Sequence, residues 1–355
     1  MATAAIPGVA LHTLRAVVPA REICIDEEVD QYPGGAAQLA RMKQTLGVDR
    51  RRVVEPGQTA CDLGEIAARA TLDAADGSMP DALLFVTQTP DHLQPGNAPL
   101  LHGRLGLPTS CAAFDVNHGC AGFVYGLWLA HSLIAAGGCR RVLLVCGDTL
   151  SRIVHPEDLA LRPLFGDAAA AVLLEADPKV PTAYFDLQTD GSGHAALRHP
   201  ASALRAWPSP ENADVTRDAD GNARSPQNLH MDGAAVFSFS IQRVPAALRA
   251  LAEQTGQPLA AGEGVFLHQA NRYIVRSIAK RLGLEVEQVP SDSFSRFGNT
   301  SSASIPLALA DAARKAVGPV ALCGFGTGLS WASAWLETPF AAAEILDLAA
   351  WPATP

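Results

Sequence analysis

The same order of elements occurs twice along the chain: a short, largely apolar segment, a corner of small residues and the start of a helix. Cys120 follows the apolar residues 112–116 in the first pass, and Asn299 follows Phe297 and Gly298 in the second. Cys120 and Asn299 are separated by about half of the 355 residues. This order predicts a duplicated α/β protein in which the equivalent helix starts meet at a pseudo-twofold axis.

Two further pairs of apolar segments support the duplication. Segments 83–86 and 264–267 correspond, and segments 143–145 and 320–322 are each followed by a cysteine and a glycine. Short apolar runs of this kind are typical of strands buried in α/β proteins.

We therefore expect two packed halves, with residues 1–177 carrying Cys120 and residues 178–355 carrying His268 and Asn299. The polar segment 207–229 is rich in proline, asparagine, aspartate and arginine. A segment of this composition inside a compact protein predicts a lid or a disordered surface loop.

Composition limits the kind of protein. Hydrophobic residues make up 48% of the chain and charged residues 18%, as in a protein with a large core. The net charge of −9 argues against nucleic acid or an anionic membrane as a general partner, and no apolar run is long enough to span a membrane. The seven cysteines show no metal-ligand spacing. We expect a cytoplasmic protein without disulfides, metal ion or organic cofactor.

Cys120 lies where a predicted strand ends and a predicted helix begins. The first turn of a helix has unpaired N–H groups and the positive end of the helix dipole, and both favour a thiolate over a thiol. Its neighbours Gly119, Ala121 and Gly122 are small, so a substrate carbonyl can approach the sulfur closely. The alternative is a buried structural cysteine, because most free cysteines pack as small apolar residues.

A histidine and an asparagine complete the candidate site. His268 directly follows the apolar run 264–267 and precedes a helix, and Asn299 occupies the position in the second half that Cys120 occupies in the first. Alone, His268 could be a structural histidine. Together the three residues predict an enzyme in which Cys120 is the nucleophile and the other two donate hydrogen bonds to an oxyanion or enolate.

The motifs around these residues resemble those of the β-ketoacyl-acyl carrier protein synthase III family of thiolase-fold condensing enzymes. They extend over nearly the whole chain and comprise the segment around Cys120, His268-Gln269-Ala270-Asn271, Gly298-Asn299-Thr300-Ser301, Phe165-Gly166-Asp167 and the run from Gly324 to Trp331. The resemblance implies an α/β thiolase fold, with two duplicated halves packed in α/β/α/β/α layers.

The resemblance also implies an acyltransferase of fatty acid biosynthesis that acts as a homodimer. An acyl thioester would acylate Cys120, and malonyl-acyl carrier protein would then lose carbon dioxide to give an enolate that attacks the acyl-cysteine. The backbone N–H groups of Cys120 and Thr327 would form the first oxyanion hole. The acyl chain and the choice between primary and secondary metabolism stay open.

Three positions depart from the family pattern. Segment 39–45 lacks the tryptophan, and Asp158-Leu159 lacks the arginine, that often hold the adenine of coenzyme A in this family. The acyl donor is therefore either coenzyme A or a carrier protein. Gln94 stands where members with a short acyl starter often have a phenylalanine that walls the acyl pocket across the dimer. Gln94 predicts a different acyl group, or one with a polar end, unless it is a simple surface change.

A basic stripe follows His268. Arg272, Arg276 and Lys280 recur every four residues on the predicted helix, with Arg281 beside them. Such stripes are often only solvated. On an acidic protein and next to the candidate site, this one predicts a docking face for an acidic carrier protein.

Two other functions are compatible with the sequence. One is a thiolase-fold acyltransferase that passes the acyl group to a non-malonyl nucleophile in secondary metabolism, which the release of carbon dioxide would distinguish. The other is a non-catalytic partner subunit, against which the presence of Cys120, His268 and Asn299 argues.

Overall fold

Two mixed β-sheets, of six and five strands, form the framework of the part of the chain that the computed structural model describes, residues 2–75, 78–312, 318–337, 340 and 342–349. The strands are β1 (Ala2–Ile6), β2 (Val9–Val18), β3 (Glu22–Cys24), β4 (Arg50–Arg52), β5 (Ala82–Thr87), β6 (Ala112–Asn117), β7 (Arg141–Asp148), β8 (Ala168–Ala176), β9 (Ala183–Thr189), β10 (Leu197–Arg198), β11 (Thr216–Arg217), β12 (Ala223–Arg224), β13 (His230–Met231), β14 (Gly264–Leu267), β15 (Val320–Gly326), β16 (Ser330–Leu336) and β17 (Ala342–Asp347). The helices are α1 (Gly35–Leu46), α2 (Ala60–Asp73), α3 (Asn97–Leu105), α4 (Gly122–Ala135), α5 (Gly233–Thr255), α6 (Arg272–Leu282), α7 (Asp292–Phe297) and α8 (Ser304–Ala312).

The helices and sheets form five layers. Helices α2 and α3 pack on one face of the six-stranded sheet, and α5 and α6 pack on one face of the five-stranded sheet. Helices α4 and α8 lie between the sheets, and their apolar side chains share one core with both. The predicted α/β/α/β/α order is therefore present.

Helix α4 is apolar on all sides because it is buried between two sheets. Its two internal glycines allow it to lie directly on the strands of the first half. A Cβ at Gly122 would come within 2.5 Å of Val86, and one at Gly126 within 2.6 Å of Leu144. These contacts hold the start of α4, and with it the Cys120 corner, against the six-stranded sheet.

Each end of the chain adds a strand to the sheet formed mainly by the other half. Strand β1 pairs antiparallel with β9 in the five-stranded sheet, whose order is β1-β9-β16-β15-β14. Strand β17 pairs parallel with β2 in the six-stranded sheet, whose order is β17-β2-β8-β7-β5-β6. The division of the chain into residues 1–177 and 178–355 stays a prediction.

Parallel pairing places the candidate residues at common edges. Strand β5 pairs parallel with both β6 and β7, so the residues after their carboxyl ends lie at one edge of the sheet. Strand β14 pairs parallel with β15 in the other sheet, which brings His268 and Thr327 to one edge there.

The polar segment 207–229 is structured, so the expectation of a disordered loop is wrong. It contains the hairpin of β11 and β12, which is attached to the turn at residues 157–161. The Ala223 N–H donates to the Glu157 carbonyl (3.2 Å), and Asn222 Oδ1 accepts from the Ala160 N–H (3.1 Å). Composition alone did not reveal these partners, because they belong to a distant part of the chain.

All seven cysteines lie within the described residues, and all are free. None of the helices in the described ranges has the length and hydrophobicity needed to cross a membrane.

Candidate active site

A cavity of about 360 Å³ reaches Cys120 and is lined by residues from both halves of the chain. Cys120, His268, Asn299 and Thr327 all line it. Many of the other lining side chains are apolar, among them Leu150, Leu161, Leu164, Phe165, Leu197 and Val236. The structure thus brings together the four residues that the sequence singled out, in surroundings suited to an apolar acyl chain.

Cys120 lies in the turn between β6 and α4 and is only 5% exposed. The end of β15 passes beside its sulfur. A Cβ at Gly326 would come within 2.7 Å of Cys120 Sγ, so the absence of a side chain there leaves room at the nucleophile.

The Cys120 thiol is less acidic than predicted. Burial, and then the nearby Asp148 carboxylate, raise its pKa to about 11, although hydrogen bonds from Ser301 and from the backbone of Thr327 act in the opposite direction. The Ser301 hydroxyl lies 3.9 Å from Sγ. The expectation of a resting thiolate is wrong, because desolvation outweighs the helix start. The thiol must therefore lose its proton as it attacks.

His268 follows β14 and is 2% exposed. Burial lowers its pKa to about 3, so the imidazole is neutral at physiological pH. Its Nδ1 lies 2.7 Å from Ser304 Oγ, and a hydrogen bond to the Ser301 backbone partly offsets the effect of burial on its pKa. When the Ser304 hydroxyl donates to Nδ1, Nε2 carries the proton and can donate it in a hydrogen bond to an oxyanion.

Asn299 is oriented by the backbone that follows it. The Ser301 N–H donates to Asn299 Oδ1 (2.9 Å), so the amide nitrogen is the group left to donate into the cavity. Ser301 has a φ of 52°, in the left-handed region that few non-glycine residues adopt. Backbone strain of this kind is concentrated at functional sites.

Gln88, which was not predicted as a site residue, also lines the cavity. Its Nε2 donates to Ser301 Oγ (2.7 Å), and its Oε1 accepts from Thr327 Oγ1 (3.4 Å). Gln88 directly follows β5, which runs parallel to β6. The rule that ligand sites form at the carboxyl ends of parallel strands would have identified it.

Asp148 was missed as well. This fully buried residue at the end of β7 accepts hydrogen bonds from the Gln88 N–H (2.8 Å), the Ser302 N–H (3.1 Å) and the Ser302 hydroxyl (2.7 Å). Burial raises its pKa, whereas these hydrogen bonds lower it. In the sequence, Asp148 could have been noticed as the one acidic residue at the end of an otherwise apolar run.

Gln94 is exposed and is not among the residues that line the cavity in this chain. Its predicted place in an acyl pocket across a dimer interface stays a prediction.

The basic stripe on α6 is not uniform. Arg276, Lys280 and Arg281 are exposed, whereas Arg272 is half-buried. Arg272 packs on the end of α1. A Cβ added at Gly47, which follows α1, would come within 2.5 Å of the Arg272 Cβ. Arg272 therefore joins α6 to α1, and three of the four predicted docking residues are accessible.

Leu159, which stands where the resemblance led us to expect an arginine, has an arginine close by from another segment. Arg224 of β12 forms an ion pair with Asp158, the residue before Leu159, and Arg224 lines the cavity.

Comparison with known proteins gives a consistent result. The family model for 3-oxoacyl-[acyl-carrier-protein] synthase III matches residues 114–191, and the model for its C-terminal part matches residues 254–338. A Campylobacter jejuni protein named as a putative 3-oxoacyl-[acyl-carrier-protein] synthase 3 is 35% identical over 327 residues, covering 90% of this chain and 91% of the relative. A Streptomyces coelicolor β-ketoacyl-[acyl-carrier-protein] synthase III is 37% identical over 330 residues, covering 90% and 92%.

A solved structure shows the same architecture. The 3-oxoacyl-(acyl-carrier protein) synthase of Burkholderia xenovorans superimposes with a TM-score of 0.89 at 31% identity, over 98% of this chain and 99% of that one. The sheets and layers described above are thus those of a thiolase-fold protein.

The raised pKa of Cys120 predicts how its alkylation depends on pH. The thiolate fraction of a thiol with a pKa of about 11 grows about tenfold per pH unit below that value, so labelling of Cys120 by iodoacetamide should keep rising from pH 7 to pH 9.5. Peptide mass spectrometry separates Cys120 from the half-exposed Cys24 and Cys139, which serve as internal controls. A Cys120 rate that levels off below pH 8 would show that the thiol is acidic after all.

Proposed function

We propose that this chain, which belongs to the 3-oxoacyl-[acyl-carrier-protein] synthase III family, condenses an acyl group held on Cys120 with a malonyl unit delivered by a carrier protein. The observation that carries the proposal is the meeting of Cys120, His268 and Asn299 in one cavity lined largely by apolar side chains. A nucleophile and two neutral hydrogen-bond donors suit a reaction in which negative charge develops on oxygen.

In the first half-reaction, Cys120 Sγ attacks the thioester carbonyl and gives up its proton. The carbonyl oxygen becomes an oxyanion, which the backbone N–H groups of Cys120 and Thr327 stabilise. These two N–H groups already act on the sulfur, because both lower the pKa of the thiol. Collapse of the intermediate breaks the carbon–sulfur bond of the donor, whose thiolate takes up a proton. Cys120 is left as a thioester.

In the second half-reaction, malonyl thioester loses carbon dioxide as its carboxyl C–C bond breaks. The electron pair of that bond forms an enolate, whose oxygen accepts hydrogen bonds from His268 Nε2 and Asn299 Nδ2. Neutral His268 is suited to this role, because a donor that stays uncharged needs no proton exchange with solvent. The enolate carbon then attacks the acyl-Cys120 carbonyl, and Cys120 leaves as a thiolate that is reprotonated.

We also propose that the protein is a cytoplasmic homodimer. Strand β6 is at the edge of its sheet, with Phe114 40% exposed on it, and a second copy pairing there would cover both. Gln94 and the 57% exposed Leu93 precede α3, and α3 packs on β6. In a dimer formed along β6, Gln94 would therefore lie near the interface and could reach the acyl pocket of the second copy. Seven free cysteines suit a reducing compartment.

The acyl donor is proposed to be a carrier protein, which docks on Arg276, Lys280 and Arg281. These exposed cations begin at Arg276, less than one turn beyond the cavity-lining residues Tyr273 and Ile274 on α6. Carrier proteins of the resembled family are acidic, so the basic face matches them in charge.

Replacement of Cys120 by serine should abolish condensation. A serine hydroxyl is much harder to ionise than a thiol, and no carboxylate is among the described residues that line the cavity and could act as its base. Product formation from acyl and malonyl thioesters is the measurement, with Cys146→Ser as a control at a buried cysteine that does not line the cavity. Near-normal turnover in Cys120→Ser would remove the nucleophile assignment.

Replacement of His268 or Asn299 by alanine should separate the two half-reactions. Loss of one oxyanion donor typically lowers a rate by about 100- to 1000-fold. We expect decarboxylation of malonyl thioester to fall by this factor while acylation of Cys120 continues. Release of labelled carbon dioxide and intact-protein mass report the two steps separately.

Two outcomes of that experiment contradict the assignment. Loss of acylation with decarboxylation preserved would reverse the roles of the groups. Acyl transfer in the wild-type protein without any release of carbon dioxide would instead favour an acyltransferase acting on another nucleophile.

Charge reversal at Arg276 and Lys280 tests the docking face. The double change to glutamate should raise the apparent KM for a carrier-bound substrate and spare a small thioester, because exposed charges act mainly on encounter. The matched control is Arg140→Glu with Lys179→Glu: both residues are exposed, and Arg140 precedes β7, at the end opposite to Asp148. Equal effects on both substrates, or on neither, would place docking elsewhere.

A further inference from the structure

Arg224 is the one charged side chain among the described residues that line the cavity. It comes from β12, in the polar segment between the cavity-lining residues Leu197 and Leu229. A guanidinium among otherwise uncharged lining residues is a candidate partner for a negatively charged group.

The guanidinium is held by a buried carboxylate. Arg224 Nε donates to Asp158 Oδ2, and Nη2 donates to Oδ1 (3.3 Å). Asp158 is fully buried and also accepts hydrogen bonds from the N–H groups of Ala160 (3.2 Å) and Leu161 (3.0 Å). The carboxylate is thus fixed by the backbone and in turn fixes the arginine.

This pairing leaves one edge of the guanidinium unused. An arginine has five N–H donors, and the bonds to Asp158 occupy the Nε side. The exposed Asp218 carboxylate lies 3.8 Å from Nη2, beyond hydrogen-bond distance. Nη1 makes no hydrogen bond to any residue within the described ranges. The free edge has the planar geometry that binds phosphate or carboxylate oxygens in pairs.

Arg224 lies on the solvent side of the cavity. Its side chain is 20% exposed, whereas Cys120 and Asn299 are 5% exposed and His268 is 2% exposed. A thioester whose carbonyl sits at Cys120 must extend its other end toward solvent. When that end is a pantetheine arm, its anion is the phosphate at the far terminus.

We propose that Arg224 is a binding residue for the phosphate of the pantetheine arm of the incoming thioester. This proposal rests on the proposed function only in that the cavity takes pantetheine thioesters. The hairpin of β11 and β12 is attached to the turn at residues 157–161, so the guanidinium is in place before the substrate enters. An acyl group that ends in a carboxylate would carry the same anionic chemistry at its opposite end.

Calorimetry with unreactive ligands tests the proposal without any acyl transfer. Loss of a hydrogen bond to a charged group typically lowers affinity by about 10- to 100-fold. The wild-type protein should therefore bind 4′-phosphopantetheine about 10- to 100-fold more tightly than pantetheine, which lacks the phosphate. Arg224→Gln should bind both ligands alike, with the affinity of the wild-type protein for pantetheine. Arg217→Gln, on the same hairpin but paired with exposed Glu157, should keep the preference.

Arg224→Gln leaves the buried Asp158 carboxylate without its partner and can destabilise the fold. The combination of Asp158→Asn with Arg224→Gln removes both charges, and it should lose the phosphate preference in the same way. Far-ultraviolet circular dichroism checks that each variant is folded.

Glutaryl- and butyryl-pantetheine distinguish the two sources of the anion. With phosphate as the ligand, Arg224→Gln should acylate Cys120 from both thioesters at wild-type ratios. A selective loss with the glutaryl thioester would move the anion to the acyl end and overturn the phosphate assignment. A wild-type protein without preference for 4′-phosphopantetheine, or a preference that survives in both Arg224 variants, would overturn it as well. Failure of butyryl-pantetheine to acylate wild-type Cys120 would instead count against the proposed function.

Discussion

The buried carboxylate of Asp148 joins the end of β5 to the corner that carries Asn299 at the active site. It accepts hydrogen bonds from Gln88 at the end of β5 and from Ser302 in the corner that carries Asn299. A hydrogen bond to a charged group contributes about 1.5–3 kcal/mol, so a shift of either corner away from Asp148 would destabilise the site. The same charge contributes to the high pKa of Cys120. The residue that joins the two corners therefore also adds to the effect of burial on the Cys120 thiol.

The inner end of the cavity holds neutral groups: a thiol, an uncharged imidazole and an amide. Burial keeps the thiol and the imidazole uncharged, because it raises the pKa of Cys120 to about 11 and lowers the pKa of His268 to about 3. In such surroundings fixed hydrogen-bond donors stabilise developing negative charge strongly, since water does not compete for it. The charged Arg224 lies further out, where an extended substrate would carry its own charge.

Local patterns predicted the parts of the site that local structure determines. Cys120 and His268 follow the apolar strands β6 and β14, and Asn299 follows helix α7 in a corner of small residues. These local patterns are visible in the sequence. Gln88 was not found, because its position depends on β5 pairing with β6, and pairing is a property of the whole sheet. The acidity of Cys120 was overestimated for a related reason. The start of a helix can be predicted from neighbouring residues, whereas burial of the thiol depends on residues from distant parts of the chain. The segment with the hairpin that carries Arg224 was predicted to be a lid or a disordered loop, because its partners lie in the distant turn at residues 157–161.

Direct observation of the acyl group during turnover tests this mechanism most closely. The wild-type protein would be mixed with an acyl thioester, quenched with acid, digested and examined by peptide mass spectrometry, before and after addition of malonyl-carrier protein. The mechanism predicts the acyl mass on the peptide that contains Cys120, its loss on addition of the malonyl thioester, and one carbon dioxide for each 3-oxoacyl product. An acyl group on a different residue, or acyl-Cys120 that persists while product forms, would contradict it.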